Sequence, residues 1–139
     1  MSYREALRLS PHPEGGWFRE TWRSGTGMPA DGGTQALATA IHYRLRPAER
    51  SRWHRVRSPE LWLWQGGGTL TLRLGGTGAG PRESARRRLG PDPDAGHDLL
   101  WLVAPGEWQA AEPAGLTEVL VACVVAPGFD RADFELAPG

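Results

Sequence analysis

The chain has 139 residues, sixteen of them basic and sixteen acidic, so it carries no net charge when histidine is neutral. That length suits a single domain over residues 1–139 with a core of its own, and the charge balance leaves no electrostatic footprint for nucleic acid or an anionic membrane. One cysteine, Cys123, excludes an intramolecular disulfide; with neither a secretory leader nor an apolar run of spanning length, the expected compartment is the cytoplasm.

Tyr3–Leu9 has the length of one or two helical turns, with Ser2 placed to cap it. Pro11–Gly16 (P-H-P-E-G-G) stops any helix, and Trp17–Arg23 (W-F-R-E-T-W-R) reads as a strand. Ser24–Thr34, with four glycines and a proline, reads as a surface loop. Gln35–Leu45 returns to strand, with Thr39, Ile41, Tyr43 and Leu45 on one face and Ala38, Ala40 and His42 on the other.

Ser51–Gly68 (S-R-W-H-R-V-R-S-P-E-L-W-L-W-Q-G-G-G) carries the chemistry. Alternation places Arg52, His54 and Val56 together on one strand, and Glu60, Trp62 and Trp64 together on the next. Ser58-Pro59 is a turn signal, so the two strands are expected to pair as a hairpin that sets His54 against Glu60 above an indole floor. Leu61 and Leu63 then face outward, where a second subunit is the natural cover; a homodimer is expected.

Further on, Thr69–Leu74 alternates leucines with Thr71 and Arg73, Gly75–Ser84 is a glycine-rich loop, and Ala85–Leu89 carries three arginines suited to a solvated edge. Asp98–Val103 and Val119–Val125 read as strands, the second apolar enough to be central and to hold Cys123 as a small core residue. Pro127–Leu136 reads as a turn and a closing strand. About eight short strands cut by glycine and proline clusters indicate an all-β sandwich or barrel.

Around His54 the sequence resembles the first cupin motif, with Ala48, His54, Val56, Glu60 and Gly67 at the motif positions, and Ala104–Gln109 resembles the second, with Gln109 where a histidine is expected. Four blocks, Pro11–Ser24, Trp53–Trp62, Trp108–Ala111 and Cys123–Leu136, are similar to the small cupin-5 family. The resemblance implies a cupin double-stranded β-helix, a jelly-roll barrel with a short N-terminal helical turn, commonly a homodimer. A cupin metal site uses three histidines and a carboxylate. Here Val56 cannot ligate and Gln109 is a weak donor, so no cofactor is expected; a divalent metal, if bound, would fall to His54, Glu60 and Gln109.

The expected catalytic set is therefore His54 as proton acceptor or donor, Glu60 as its orienting partner or second acid–base group, and Gln109 as a hydrogen-bond donor. Trp62 and Trp64 would stack a ring, and Arg52, Arg19 and His42 are further candidates to bind substrate. Such a set suits epimerisation, isomerisation or elimination on a sugar-like or other polar ring or carbonyl compound held in the barrel. The same pocket serves equally for a non-catalytic ligand-binding cupin or a metal-dependent cupin enzyme with a reduced ligand set.

Overall fold

In a computed structural model, residues 3–25, 27–30 and 33–138 are described. After a helical turn α1 (Tyr3–Ala6), the strands run β1 (Ser10–Pro11), β2 (Trp17–Arg23), β3 (Gly27–Ala30), β4 (Gly33–Ala36), β5 (Thr39–Leu45), β6 (Ser51–Val56) and β7 (Glu60–Gly67). They continue as β8 (Leu70–Leu74), β9 (Ala85–Leu89), β10 (Leu100–Val103), β11 (Gln109–Pro113), β12 (Val119–Val125) and β13 (Phe134–Leu136). Two antiparallel sheets result, one of six strands in the order β1-β2-β5-β12-β7-β10 and one of five in the order β13-β6-β11-β8-β9. This is the jelly-roll architecture of the cupins, with the short helical turn at its N-terminal end.

Period-two alternation builds the core. Leu70, Leu72 and Leu74 of β8 are buried between half-buried Thr71 and Arg73, and they meet Tyr43, Leu45, Trp62, Val119 and Val121 from the opposite sheet. The apolar β12 lies between β5 and β7, and the arginine-rich β9 is an edge, as their compositions indicate. Cys123 is buried in the central strand.

Two expectations need correction. The expected loop Ser24–Thr34 is not a plain loop, since β3 within it pairs with β4 as a two-stranded ribbon; residues 26, 31 and 32 of that loop lie outside the described residues. More consequentially, β6 and β7 do not form a hairpin. β6 pairs with β11 and β13, whereas β7 pairs with β12 and β10 in the other sheet. The Ser58-Pro59 turn therefore carries the chain from one sheet to the other, and the Ser58 hydroxyl donates to the Pro127 carbonyl at 2.7 Å to hold it there.

Candidate active site

A cavity of about 390 Å³ opens between the sheets at the barrel end where β7 begins. His54, Glu60 and Glu14 line it, together with His12, Cys123 and an apolar wall.

His54 is the centre, and its partner is Glu14 from the P-H-P-E-G-G loop rather than Glu60. Its Nε2 lies 2.7 Å from Glu14 Oε2, and its Nδ1 donates to the Arg52 carbonyl at 2.7 Å. The loop that delivers Glu14 is tied by hydrogen bonds of its own. His12 N–H donates to the Gly16 carbonyl at 2.9 Å, Gly15 N–H donates to the His12 carbonyl at 3.0 Å, and Glu14 N–H donates to His12 Nδ1 at 3.1 Å. Gly15 has φ of 109°, a conformation other residues avoid, and a Cβ there would collide with the Arg50 carbonyl oxygen. The Arg52 N–H donates to the Glu14 carbonyl at 2.8 Å, tying the loop to β6 beside His54.

Burial alone would discharge both members of this pair. For His54 burial is outweighed by the Glu14 charge and hydrogen bond, the Glu60 charge and the Arg52 carbonyl, and its pKa rises to about 8. Burial likewise pushes Glu14 up, but the charge and hydrogen bond of His54 overcome it and hold Glu14 below the ordinary carboxylate value. The resting pair near neutrality is thus an imidazolium and a carboxylate. Burial lowers His12 despite the nearby Glu14, and the Nδ1 acceptor geometry agrees with a neutral ring.

Glu60 has a different environment. Burial raises its pKa to about 7, opposed by the His54 charge and supported by the Glu14 charge. Gln109 donates to Glu60 Oε1 at 2.8 Å, and Trp62 Nε1–H donates to Gln109 Oε1 at 2.6 Å. The amide of Gln109 is spent on both neighbours, so this fully buried residue orients Glu60 and does not line the cavity. Burial also pushes the Cys123 thiol well above its usual value, keeping it a neutral neighbour of Glu60.

The remaining sequence candidates lie elsewhere. Trp62 and Trp64 do share a face with Glu60, but the cavity occupies only the Glu60 end. At roughly 3.4 Å per residue, each further indole is a step deeper in the barrel. Trp62 packs edge-on to Tyr43, and Trp64 donates to the Gly68 carbonyl at 2.8 Å. They fill core where stacking on substrate was expected.

Arg52 was expected on the His54 face. A register shift between the His54–Gln109 and Ser51–Ala111 pairs sets two residues of β6, Arg52 and Trp53, against one of β11, Ala110, so Ser51 and His54 both face in and Arg52 faces out. Its guanidinium donates to the Pro13 carbonyl at 2.6 Å. His42 lies across the barrel from His54 but alternates with Ile41, which points into the cavity, and so faces outward opposite exposed Arg19. Glu14 was missed because its ion pair spans forty residues of sequence and depends on a loop, for which no strand periodicity exists; the Gly15-Gly16 pair after it was the available signal.

A cupin metal centre does not fit this donor set. Both nitrogens of His54 are engaged, Val56 stands where a second histidine would, and the Gln109 oxygen already accepts from Trp62. Among the described residues no group of three or more histidine, cysteine, aspartate or glutamate side chains is gathered to hold a metal ion.

Comparison with solved structures agrees with the architecture. A protein of Shewanella oneidensis is 31% identical, covering 96% of this chain and 81% of its own, with a TM-score of 0.87. A hypothetical protein from Leishmania major is 29% identical over 96% of this chain and 84% of its own, with a TM-score of 0.83. A dTDP sugar isomerase from Desulfovibrio desulfuricans shares the fold at 19% identity and a TM-score of 0.62, covering 94% of this chain and 87% of its own. No curated protein matches the sequence. The family model described as Cupin superfamily (DUF985), Cupin_5, matches residues 3–137, and the chain belongs to that family.

Proposed function

We propose that the cavity is the site of a metal-independent acid–base enzyme of the epimerase, isomerase or lyase type, acting on a small molecule with a ring or a carbonyl group. The observation that carries this reading is the 2.7 Å contact between His54 Nε2 and Glu14 Oε2, placed in the same cavity wall as Glu60. Both nitrogens of His54 are committed, so the imidazolium serves as a fixed positive charge that stabilises an oxyanion developing on the substrate. Glu60, with its carboxyl shifted to about 7, takes and returns the proton, because a base titrating near the working pH combines availability with driving force. Trp62 and Gln109 hold the Glu60 carboxyl in place. No metal enters the scheme, since both His54 nitrogens and the Gln109 oxygen are engaged.

The test is proton exchange. Ring and carbonyl compounds incubated with the protein in deuterated water are followed by NMR for loss of the C–H next to the carbonyl. The exchange rate is expected to rise as Glu60 ionises near 7 and to fall as His54 loses its proton near 8. Glu60→Gln abolishes it. Ligand binding without exchange in any compound, and unaltered by Glu60→Gln, would refute catalysis. It would favour a non-catalytic binding cupin, which full hydrogen bonding of His54 also suits.

The reading includes a homodimer. Leu61 and Leu63 of β7 pair in register with Leu102 and Leu100 of β10, residues that are 54% and 52% exposed. A second copy is the natural cover for this apolar face.

A further inference from the structure

Away from Glu14, His54 and Glu60, the cavity wall is largely apolar, with Phe18, Ile41, Val56, Val125, Phe129 and Phe134 in it. Several polar groups around it already have partners. Thr39 Oγ1 accepts from Phe129 N–H at 2.9 Å, and Glu20 receives two hydrogen bonds from Arg23 at 2.8 and 2.9 Å. Arg131 is different. It lines the cavity while remaining exposed, so it stands at the rim, and among the described residues no carboxylate pairs with its guanidinium.

One short segment supplies most of these features. Arg131 lies on the turn Arg131–Asp133, flanked in sequence by Phe129 and Phe134. Phe134 stacks on His54 with ring centroids 5.7 Å apart, so the aromatic wall reaches the acid–base pair directly. Inside, the carboxylate of Glu14 is neutralised by His54, and the Glu60 carboxyl is held largely uncharged by burial below its raised pKa. Below about pH 7 the interior therefore offers no strong repulsion to an anion, and the rim offers a cation with which no carboxylate among the described residues pairs.

We propose that the molecule bound here is an apolar planar ring bearing one carboxylate, its ring packed against Phe18, Phe129 and Phe134 and its carboxylate on Arg131. This rests on the acid–base reading in one respect, that both use the same cavity. A sugar fits the wall poorly, because each hydroxyl removed from water needs a partner and few polar groups remain free to provide one. A planar ring needs only contact, and a guanidinium fork matches a carboxylate. The volume of about 390 Å³ admits one or two fused rings with substituents.

Calorimetric titration with 2-naphthoate, its neutral amide 2-naphthamide, and glucuronate tests the proposal. Naphthoate is expected to bind about tenfold more tightly than naphthamide, with no measurable binding of glucuronate. Arg131→Gln, at an exposed position, is expected to weaken naphthoate by about tenfold and leave naphthamide unchanged. Naphthoate binding unaffected by Arg131→Gln, glucuronate binding more tightly than naphthoate, or no naphthoate binding at millimolar concentration would each overturn it. Since binding is read without turnover, Arg131-dependent naphthoate binding with no proton exchange in any compound overturns only the enzymatic reading. Exchange on sugars without naphthoate binding overturns only this one.

Discussion

Replacing Glu14 by glutamine removes the charge that holds His54 protonated while keeping the side-chain volume. With Glu14 present, the His54 pKa stands at about 8 against 6.5 for an ordinary histidine, a difference worth about 2 kcal/mol of proton binding. In Glu14→Gln the burial that opposes the imidazolium is no longer outweighed, and the pKa is expected below 6.5. Because the folded value of His54 is raised, its contribution to stability is fully present below pH 6.5 and is lost as pH rises through about 8. Glu14 is shifted the other way, so its share is present above 4.5 and is lost on acidification. The stability gap between wild type and Glu14→Gln should therefore be widest between about pH 5 and 6.5 and shrink toward pH 9. Imidazole resonances assigned with His54→Gln and titrated by NMR give the pKa, and urea unfolding across pH gives the gap. A His54 pKa that stays near 8 in Glu14→Gln would mean that Glu60, and not Glu14, keeps the ring charged, and the pairing on which the mechanism stands would be wrong.

Gly15→Ala places a Cβ against the Arg50 carbonyl at a positive φ, and is expected to cost more than about 1 kcal/mol in urea unfolding and to lower the His54 pKa by displacing Glu14. An unchanged pKa would show that the loop does not fix the carboxylate. Trp62→Phe deletes the donor to Gln109 and leaves a buried oxygen unpaired, a loss of about 1–3 kcal/mol. Equal stability of the two proteins would refute the relay. Light scattering at micromolar concentration is expected to give a dimer mass, and Leu102→Glu, on the exposed apolar face, a monomer mass; a monomeric wild type would dismiss the interface.

Alternation along single strands was legible without coordinates, because it is a local property of extended backbone. It correctly placed Glu60, Trp62 and Trp64 on one face, Ile41 opposite His42, and Val119–Val125 at the centre of a sheet. The block resemblance supplied the barrel. Which strands pair is decided by side chains distant in sequence, and there the Ser58-Pro59 turn suggested a hairpin that the two-sheet topology does not contain. Parity failed at Arg52 for a related reason: a bulge arises only from the register with a partner strand, and one extra residue reverses every facing after it. The histidine, the glutamate and the glutamine could be named from residue type and spacing. That His54 binds Glu14, that Gln109 serves Glu60, and that the tryptophans lie below the cavity follow from where a loop, two sheets and a bulge converge in space.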